Sequence, residues 1–101
     1  MKDKCQHCNT KKAHHSEELK KKFRDRLNRI EGQVRGVNRM IAEDVYCDDI
    51  INQISAVKSA LNAVSNLILD AHLKSCVVEQ IKEGKIEVID EVMQTIKRMN
   101  K

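Results

Sequence analysis

Apolar residues recur along this chain at intervals of three and four, the signature of helices that bury one stripe. Leu19, Phe23, Leu27, Ile30, Val34, Val37 and Ile41 form the first such stripe. Ser16 stands where an N-cap is expected, and Glu17 and Glu18 fall in the first turn, where the positive end of the helix dipole favours acids. Gly32 and Gly36 lie inside the pattern, at a cost of about 1 kcal/mol each relative to Ala. That cost predicts a close neighbour on their face. The polar stretch from Met1 to His15 carries no comparable periodicity.

The second stripe is more regular. Cys47, Ile50, Ile54, Val57, Leu61, Val64, Ile68, Ala71, Ser75 and Val78 alternate three and four residues apart, as in a coiled-coil seam. Asp48 and Asp49 suit its N-terminus, and neither Gly nor Pro interrupts the chain between Val37 and Glu83. One long helix is predicted, stopped at Lys82-Glu83-Gly84 with Gly84 in the C′ position. Ile86, Ile89, Met93 and Ile96, joined by Val92 and Met99, predict a short third helix. No strand pattern competes, so the fold class is all-α with a three-helix protomer.

Composition changes this picture in one respect. In 101 residues, 41% hydrophobic and 34% charged, there are one Phe, one Tyr and no Trp. A chain of this size buries only roughly 60–65% of its unfolded surface, and here it lacks the large side chains that usually fill a small core. Self-association is the expected remedy, and a multidomain enzyme is excluded. No window approaches the roughly 20 apolar residues of a membrane span, and the charged start of the chain lacks the apolar core of a secretory signal. A soluble, cytoplasmic protein is expected, in whose reducing surroundings cysteines serve as metal ligands or redox sensors more often than as disulfides.

Charge is unevenly placed. Residues 1–39 hold 12 Lys and Arg against 5 Asp and Glu, whereas residues 40–101 hold 7 against 10. Lys20, Lys21, Lys22, Arg24, Arg26, Arg29, Arg35 and Arg39 face only Asp25 and Glu31. Such a run on a predicted helix is a polyanion-binding signature; the plainer reading is a solvated face. Membrane-surface binding is disfavoured, because interfacial helices use Trp and Phe and this one offers Phe23 alone.

The candidate chemistry lies on the second helix. His72 and Cys76 are spaced i, i+4, so both side chains reach one ion from one face. Cys47 precedes His72 by 25 residues, and at 1.5 Å per residue an unbroken helix separates them by roughly 37 Å. One chain cannot close that site. Two can, if the long helices of a homodimer pack antiparallel about a two-fold axis near Ala60, with the small residues Ala56, Ser59, Ala60 and Ala63 at the crossing. Two thiolates and one imidazole suit Cu(I), since a structural zinc site normally adds a fourth protein ligand. The competing reading is three separately buried residues.

These residues sit in longer stretches that resemble the copper-sensing operon repressor (CsoR) family of bacterial transcriptional regulators over residues 16–99. The stretches are RLNRIEGQVRGVNRMI from Arg26 to Ile41, DVYCDDI from Asp44 to Ile50, QISAVKSAL from Gln53 to Leu61 and HLKSC from His72 to Cys76. The resemblance implies an antiparallel four-helix-bundle dimer that assembles into a dimer-of-dimers tetramer. It also implies a Cu(I) site made by Cys47 of one protomer with His72 and Cys76 of the other, and positions for Tyr46 and Glu91 behind the copper histidine. Nickel- and cobalt-responsive relatives carry His where Cys76 stands, and persulfide-sensing relatives lack His72, so the ligand set here is the copper pattern.

The implied function is repression of copper-resistance genes through operator DNA, released on Cu(I) binding. Lys22, Arg26, Arg29, Arg35 and Lys58 are the candidate DNA contacts, although some relatives place an Arg where this chain has Ala63. Residues 16–101 would form the repressor domain and residues 1–15 a flexible tail. Cys5, His7 and Cys8 in that tail lie outside the family core and form a candidate accessory metal site, with a copper chaperone as a candidate partner. The alternatives are a thiol or persulfide redox-sensing repressor of the same fold and a cytoplasmic copper-storage or carrier protein. No enzyme is expected, because neither a Gly-rich phosphate loop nor an acid/base pair accompanies the thiols.

Overall fold

The computed structural model describes residues 15–100, so Cys5, His7 and Cys8 lie outside the described residues. Helix α1 spans Glu17–Ala42 and α2 spans Cys47–His72. A π-helical turn, Leu73–Val77, continues α2 without a break into α3, Val78–Lys82, and α4 spans Val88–Met99. Three helical rods result, and among the described residues there is no strand.

The helix ends follow the chain's local chemistry. The Ser16 hydroxyl accepts the Leu19 N–H at 3.1 Å, capping α1 as its position predicts. At the other end of α1, Asp44 N–H donates to the Ile41 carbonyl and Val45 N–H to the Met40 carbonyl, which is a Schellman closure with Asp44 at φ +56°. The same closure ends α3: Gly84 N–H donates to Ile81 and Lys85 N–H to Gln80, with Gly84 at φ +85°. The stop predicted at Gly84 is therefore met by a residue that adopts this conformation without penalty.

Helices α1 and α2 form an antiparallel hairpin. Ile30 is buried against Val57 and Val64, with Ala60 packed alongside. Phe23 lies buried further along, where the start of α1 faces Leu67 and Ala71 across a cleft. A second cluster joins Val88 and Val92 of α4 to Val77, with Leu69, Leu73 and Ile96 around them. Helix α4 therefore covers a different face of the long rod from the one that α1 covers.

Two expectations are corrected by this packing, and a third is not met within the protomer. The stripe predicted for the third helix is split, because Val88, Val92 and Ile96 turn inward while Ile86, Ile89 and Met93 are exposed. The regular seam of the second helix ends before Val78, which is exposed: the π turn intervenes, and Cys76 and Val77 are buried in its place. Gly32 and Gly36 have no close neighbour within the protomer; a Cβ at Gly36 would meet nothing within 4 Å, and one at Gly32 only the Arg35 guanidinium at 3.7 Å.

Eight apolar residues are buried among those described, whereas thirteen large ones are exposed, and none of the buried side chains is fully enclosed. The exposed set is ordered. Ile54, Leu61 and Ile68 repeat every seven residues on α2, and Leu27, Val34 and Ile41 do so on α1. Each is one half of a stripe whose other half, Val57 and Val64 or Phe23 and Ile30, lies inside the hairpin. A hairpin with both outer half-stripes open presents continuous apolar rows on which another helix could pack.

Candidate metal centre

Cys47 is the first residue of α2, and Tyr46 before it is the N-cap, 70% exposed and without a side-chain capping bond. Asp48 and Asp49 complete a first turn whose acids suit the positive helix end. The Cys47 thiol is exposed. Its position continues the open half-stripe, because Cys47, Ile54, Leu61 and Ile68 are each seven residues apart.

The other two candidate ligands occupy the opposite end of the rod. His72 is the last residue of α2 and is half-buried, while Cys76 lies in the π turn with 3% of its surface exposed. The turn is wider than an α-helical one: the Val78 N–H reaches back five residues to the Leu73 carbonyl. Ser75, between them, donates its hydroxyl to the Ala71 carbonyl at 2.8 Å and lies 3.7 Å from the Cys76 sulfur. Leu73 and Val77 of the same turn pack against α4. Glu91 sits exposed in the first turn of α4, on the helix docked against this segment.

Within one protomer the ligands do not converge. Among the described residues no group of three His, Cys, Asp or Glu side chains is placed to hold a metal ion. Cys76 and His72 supply a soft, sheltered pair, and the third soft donor stands at the far end of α2 on a face left open. The donor set fits a low-coordinate soft ion such as Cu(I), provided that the third ligand comes from another chain.

The predicted cationic surface is on α1, and the helix divides it. Lys22, Arg26 and Arg29 follow i, i+4, i+7 and share one flank; all are exposed, and none forms an ion pair among the described residues. Arg35 lies nine residues, or about two and a half turns, beyond Arg26, so it projects from the opposite flank with Arg24 and Arg39. It is weakly paired with Glu31 at 3.8 Å. Lys21 bonds Asp25 at 2.8 Å, and this hydrogen bond together with the carboxylate charge raises its pKa above the usual lysine value. Lys58 is exposed on α2.

Sequence patterning did not find the π turn, since no Gly or Pro marks it. It also left Ser75 as one more member of a stripe. The signal available was register: Ser75 falls on the same seven-residue series as Cys47.

Comparison with known proteins places these features in context. Residues 19–98 match the family described as metal-sensitive transcriptional repressors. The chain is 51% identical over 72 residues to the copper-sensing transcriptional repressor RicR of Mycobacterium tuberculosis, covering 71% of this chain and 75% of the relative. It is 43% identical over 89 residues to the copper-sensing transcriptional repressor CsoR of Bacillus subtilis, covering 87% and 88%. Its fold matches the crystal structure of the copper-sensing repressor CsoR with Cu(I) from Geobacillus thermodenitrificans with a TM-score of 0.83 at 40% identity, covering 89% of this chain and 95% of that one. The nickel-responsive transcriptional regulator InrS matches with a TM-score of 0.70 at 39% identity, over 86% and 99%.

Proposed function

The chain belongs to the metal-sensitive transcriptional repressor family, and on that premise we propose that it is a Cu(I)-responsive repressor whose metal centre is shared between two protomers. The relatives named for copper sensing and the Cu(I)-bound structural neighbour support copper as the metal. The observation that carries the shared centre is the placement of the ligands. His72 and buried Cys76 are paired at one end of the rod, exposed Cys47 stands at the other, and the open half-stripe runs between.

Two α2 helices pack antiparallel across that half-stripe. If Leu61 meets Leu61 of the partner, Ile54 meets Ile68 and Cys47 meets Ser75, with His72 and Cys76 on either side. The closure buries the open apolar rows of both hairpins and generates two sites by one two-fold axis. The remaining exposed residues around α4, Ile86, Ile89 and Met93, serve the pairing of dimers into a tetramer. Bound Cu(I) supplies a bond between the start of one α2 and the end of the other.

The protein side of the switch follows from what each ligand is attached to. Tyr46 arrives with Cys47, because it is the residue before it, and Glu91 arrives with α4, which is docked on the segment after His72. These two groups hold the free imidazole nitrogen and fix the ring. Drawing the helix ends together then shifts one hairpin against the other and changes the spacing of the basic flanks of α1. Lys22, Arg26 and Arg29 make the main phosphate contacts, with Arg35 and Lys58 as further contacts. The apo protein holds operator DNA, and the Cu(I) form releases it through a coupling of order 1–3 kcal/mol.

An anaerobic DNA-binding titration with and without Cu(I) tests this reading. The expected result is salt-sensitive binding by the apo protein that Cu(I) weakens about tenfold or more. DNA affinity unaltered by Cu(I) would defeat the repressor reading and leave a copper carrier.

A further inference from the structure

We infer that Ser75 is the hydrogen-bond donor that serves the copper-bound sulfur of Cys76, exchanging the Ala71 carbonyl for the thiolate when the metal is held. The inference rests on the copper site proposed above. Ser75 has one O–H and two acceptors in reach: the Ala71 carbonyl at 2.8 Å and the Cys76 sulfur at 3.7 Å. Within the protomer the carbonyl is much the nearer, and a neutral thiol is a weak acceptor. A metal-bound thiolate carries negative charge and no S–H, and hydrogen bonds to charged acceptors are roughly twice as strong as neutral ones. Rotation of the hydroxyl hydrogen about Cβ–Oγ re-aims the bond without moving the oxygen.

The surroundings make this donor matter. Cys76 is 3% exposed, so water is a poor competitor for the sulfur. Ser75 places its hydroxyl within hydrogen-bonding reach of that sulfur, at 3.7 Å. Ser75 is itself half-buried and lines the cleft between the start of α1 and the end of α2, beside Phe23, Leu67 and Ala71. The exchange costs the helix little, because a serine back-bond to the i−4 carbonyl is itself slightly destabilising.

The test compares full-length parent, Ser75→Ala, Ser75→Thr and Cys76→Ala under anaerobic conditions, with a chromophoric Cu(I) chelator as competitor. Alanine is the better helix former and removes only one oxygen, so the rod is retained. Ser75→Ala is expected to weaken Cu(I) binding about tenfold, as loss of a partner behind a ligand typically does, and to move the thiolate-to-copper charge-transfer band to longer wavelength. Ser75→Thr, which keeps the hydroxyl, is expected to restore both. A hydroxyl that only caps Ala71 would alter the thermal stability of the apo protein and leave band and affinity at the parent values; that result overturns the inference. Cys76→Ala separates the two levels. If it retains parental affinity, the copper site and the role of Ser75 fall together, whereas if it loses binding while Ser75→Ala is unchanged, the role of Ser75 alone falls.

Discussion

At the start of α2 the Cys47 thiol is exposed beside an exposed tyrosine, while at the far end Cys76 lies buried in the π turn, whose Leu73 and Val77 pack against α4. Both ends carry a cysteine sulfur on the same continuous rod, yet one is presented to the outside and the other is buried. The difference follows from which helix covers each end. Helix α4 packs on Leu69, Leu73 and Val77 and so shelters the C-terminal end; nothing among the described residues of the protomer covers Cys47. On the proposed shared centre, the fold itself organises the C-terminal half-site, and association would organise the N-terminal one.

The largest expected effect comes from removing either sulfur. Cys47→Ala and Cys76→Ala should each abolish tight Cu(I) binding, while their effects on the fold should differ. Loss of the buried sulfur leaves a cavity and is expected to cost about 1–2 kcal/mol. Loss of the exposed one should stay within about 0.5 kcal/mol. Mixing the two variants sharpens the comparison, since a heterodimer regains one intact site from Cys47 of one subunit and His72 with Cys76 of the other. Copper stoichiometry after mixing, read beside chemical denaturation of each variant, checks this; tight binding by a monomer would refute the shared centre.

The two halves of the α2 seam invite the next test. Val64, buried against Ile30, supports the hairpin, so Val64→Ala should destabilise the protomer by about 2 kcal/mol from reduced burial and an unfilled cavity. Leu61, 44% exposed on the outer half, does little within the protomer. Leu61→Lys should leave the helical content intact and keep the chain monomeric, because like charges would meet at the two-fold axis. Sedimentation equilibrium distinguishes this from a variant that still dimerises.

Much of this organisation was legible in the sequence, for physical reasons. Helix spacing, the Ser16 cap and the Gly84 stop are local properties, and local rules recovered them. The proposed trio of Cys47, His72 and Cys76 comes from spacing and resemblance, and what the protomer adds is that Cys47 stands at the opposite end of α2 from the other two. What escaped was tertiary choice. The stripe on α2 is apolar throughout, and only packing decides that Val57 and Val64 turn inward while Ile54, Leu61 and Ile68 remain open. The same holds for α4, where Val88 and Val92 outcompete the larger Ile89 and Met93 for the inner face. The π turn has no composition signal; it coincides with the burial of Cys76 and Val77, the latter packed on α4.

A smaller effect is expected on the basic helix. Replacing Arg26 and Arg29 with Ala should lower operator affinity and reduce the salt slope by about one for each phosphate that is no longer neutralised. Arg35→Ala should act more weakly, because that side chain lies on the opposite flank and is partly neutralised by Glu31 at 3.8 Å. Equal reductions from Arg29→Ala and Arg35→Ala, measured by DNA titration across a salt series, would show that both flanks meet DNA equally.

The smallest effect concerns the turns that lead into each end of the long rod. Both close with the same pair of backbone hydrogen bonds, but Asp44 at φ +56° carries a Cβ into the left-handed region where Gly84 at φ +85° has none. Asp44 also places a negative charge at the negative end of the α1 dipole. Asp44→Gly should therefore stabilise the protomer by about 1 kcal/mol, because the relieved strain and repulsion exceed the entropy of the added glycine. Gly84→Ala should destabilise it by about the same amount. A Cβ at Gly84 meets no atom within 4 Å, so that cost is conformational rather than steric crowding against a neighbour. Urea midpoints at unchanged slope measure both. If Asp44→Gly lowers the midpoint, the aspartate stabilises the turn that presents Cys47, and the strain assigned to it is absent.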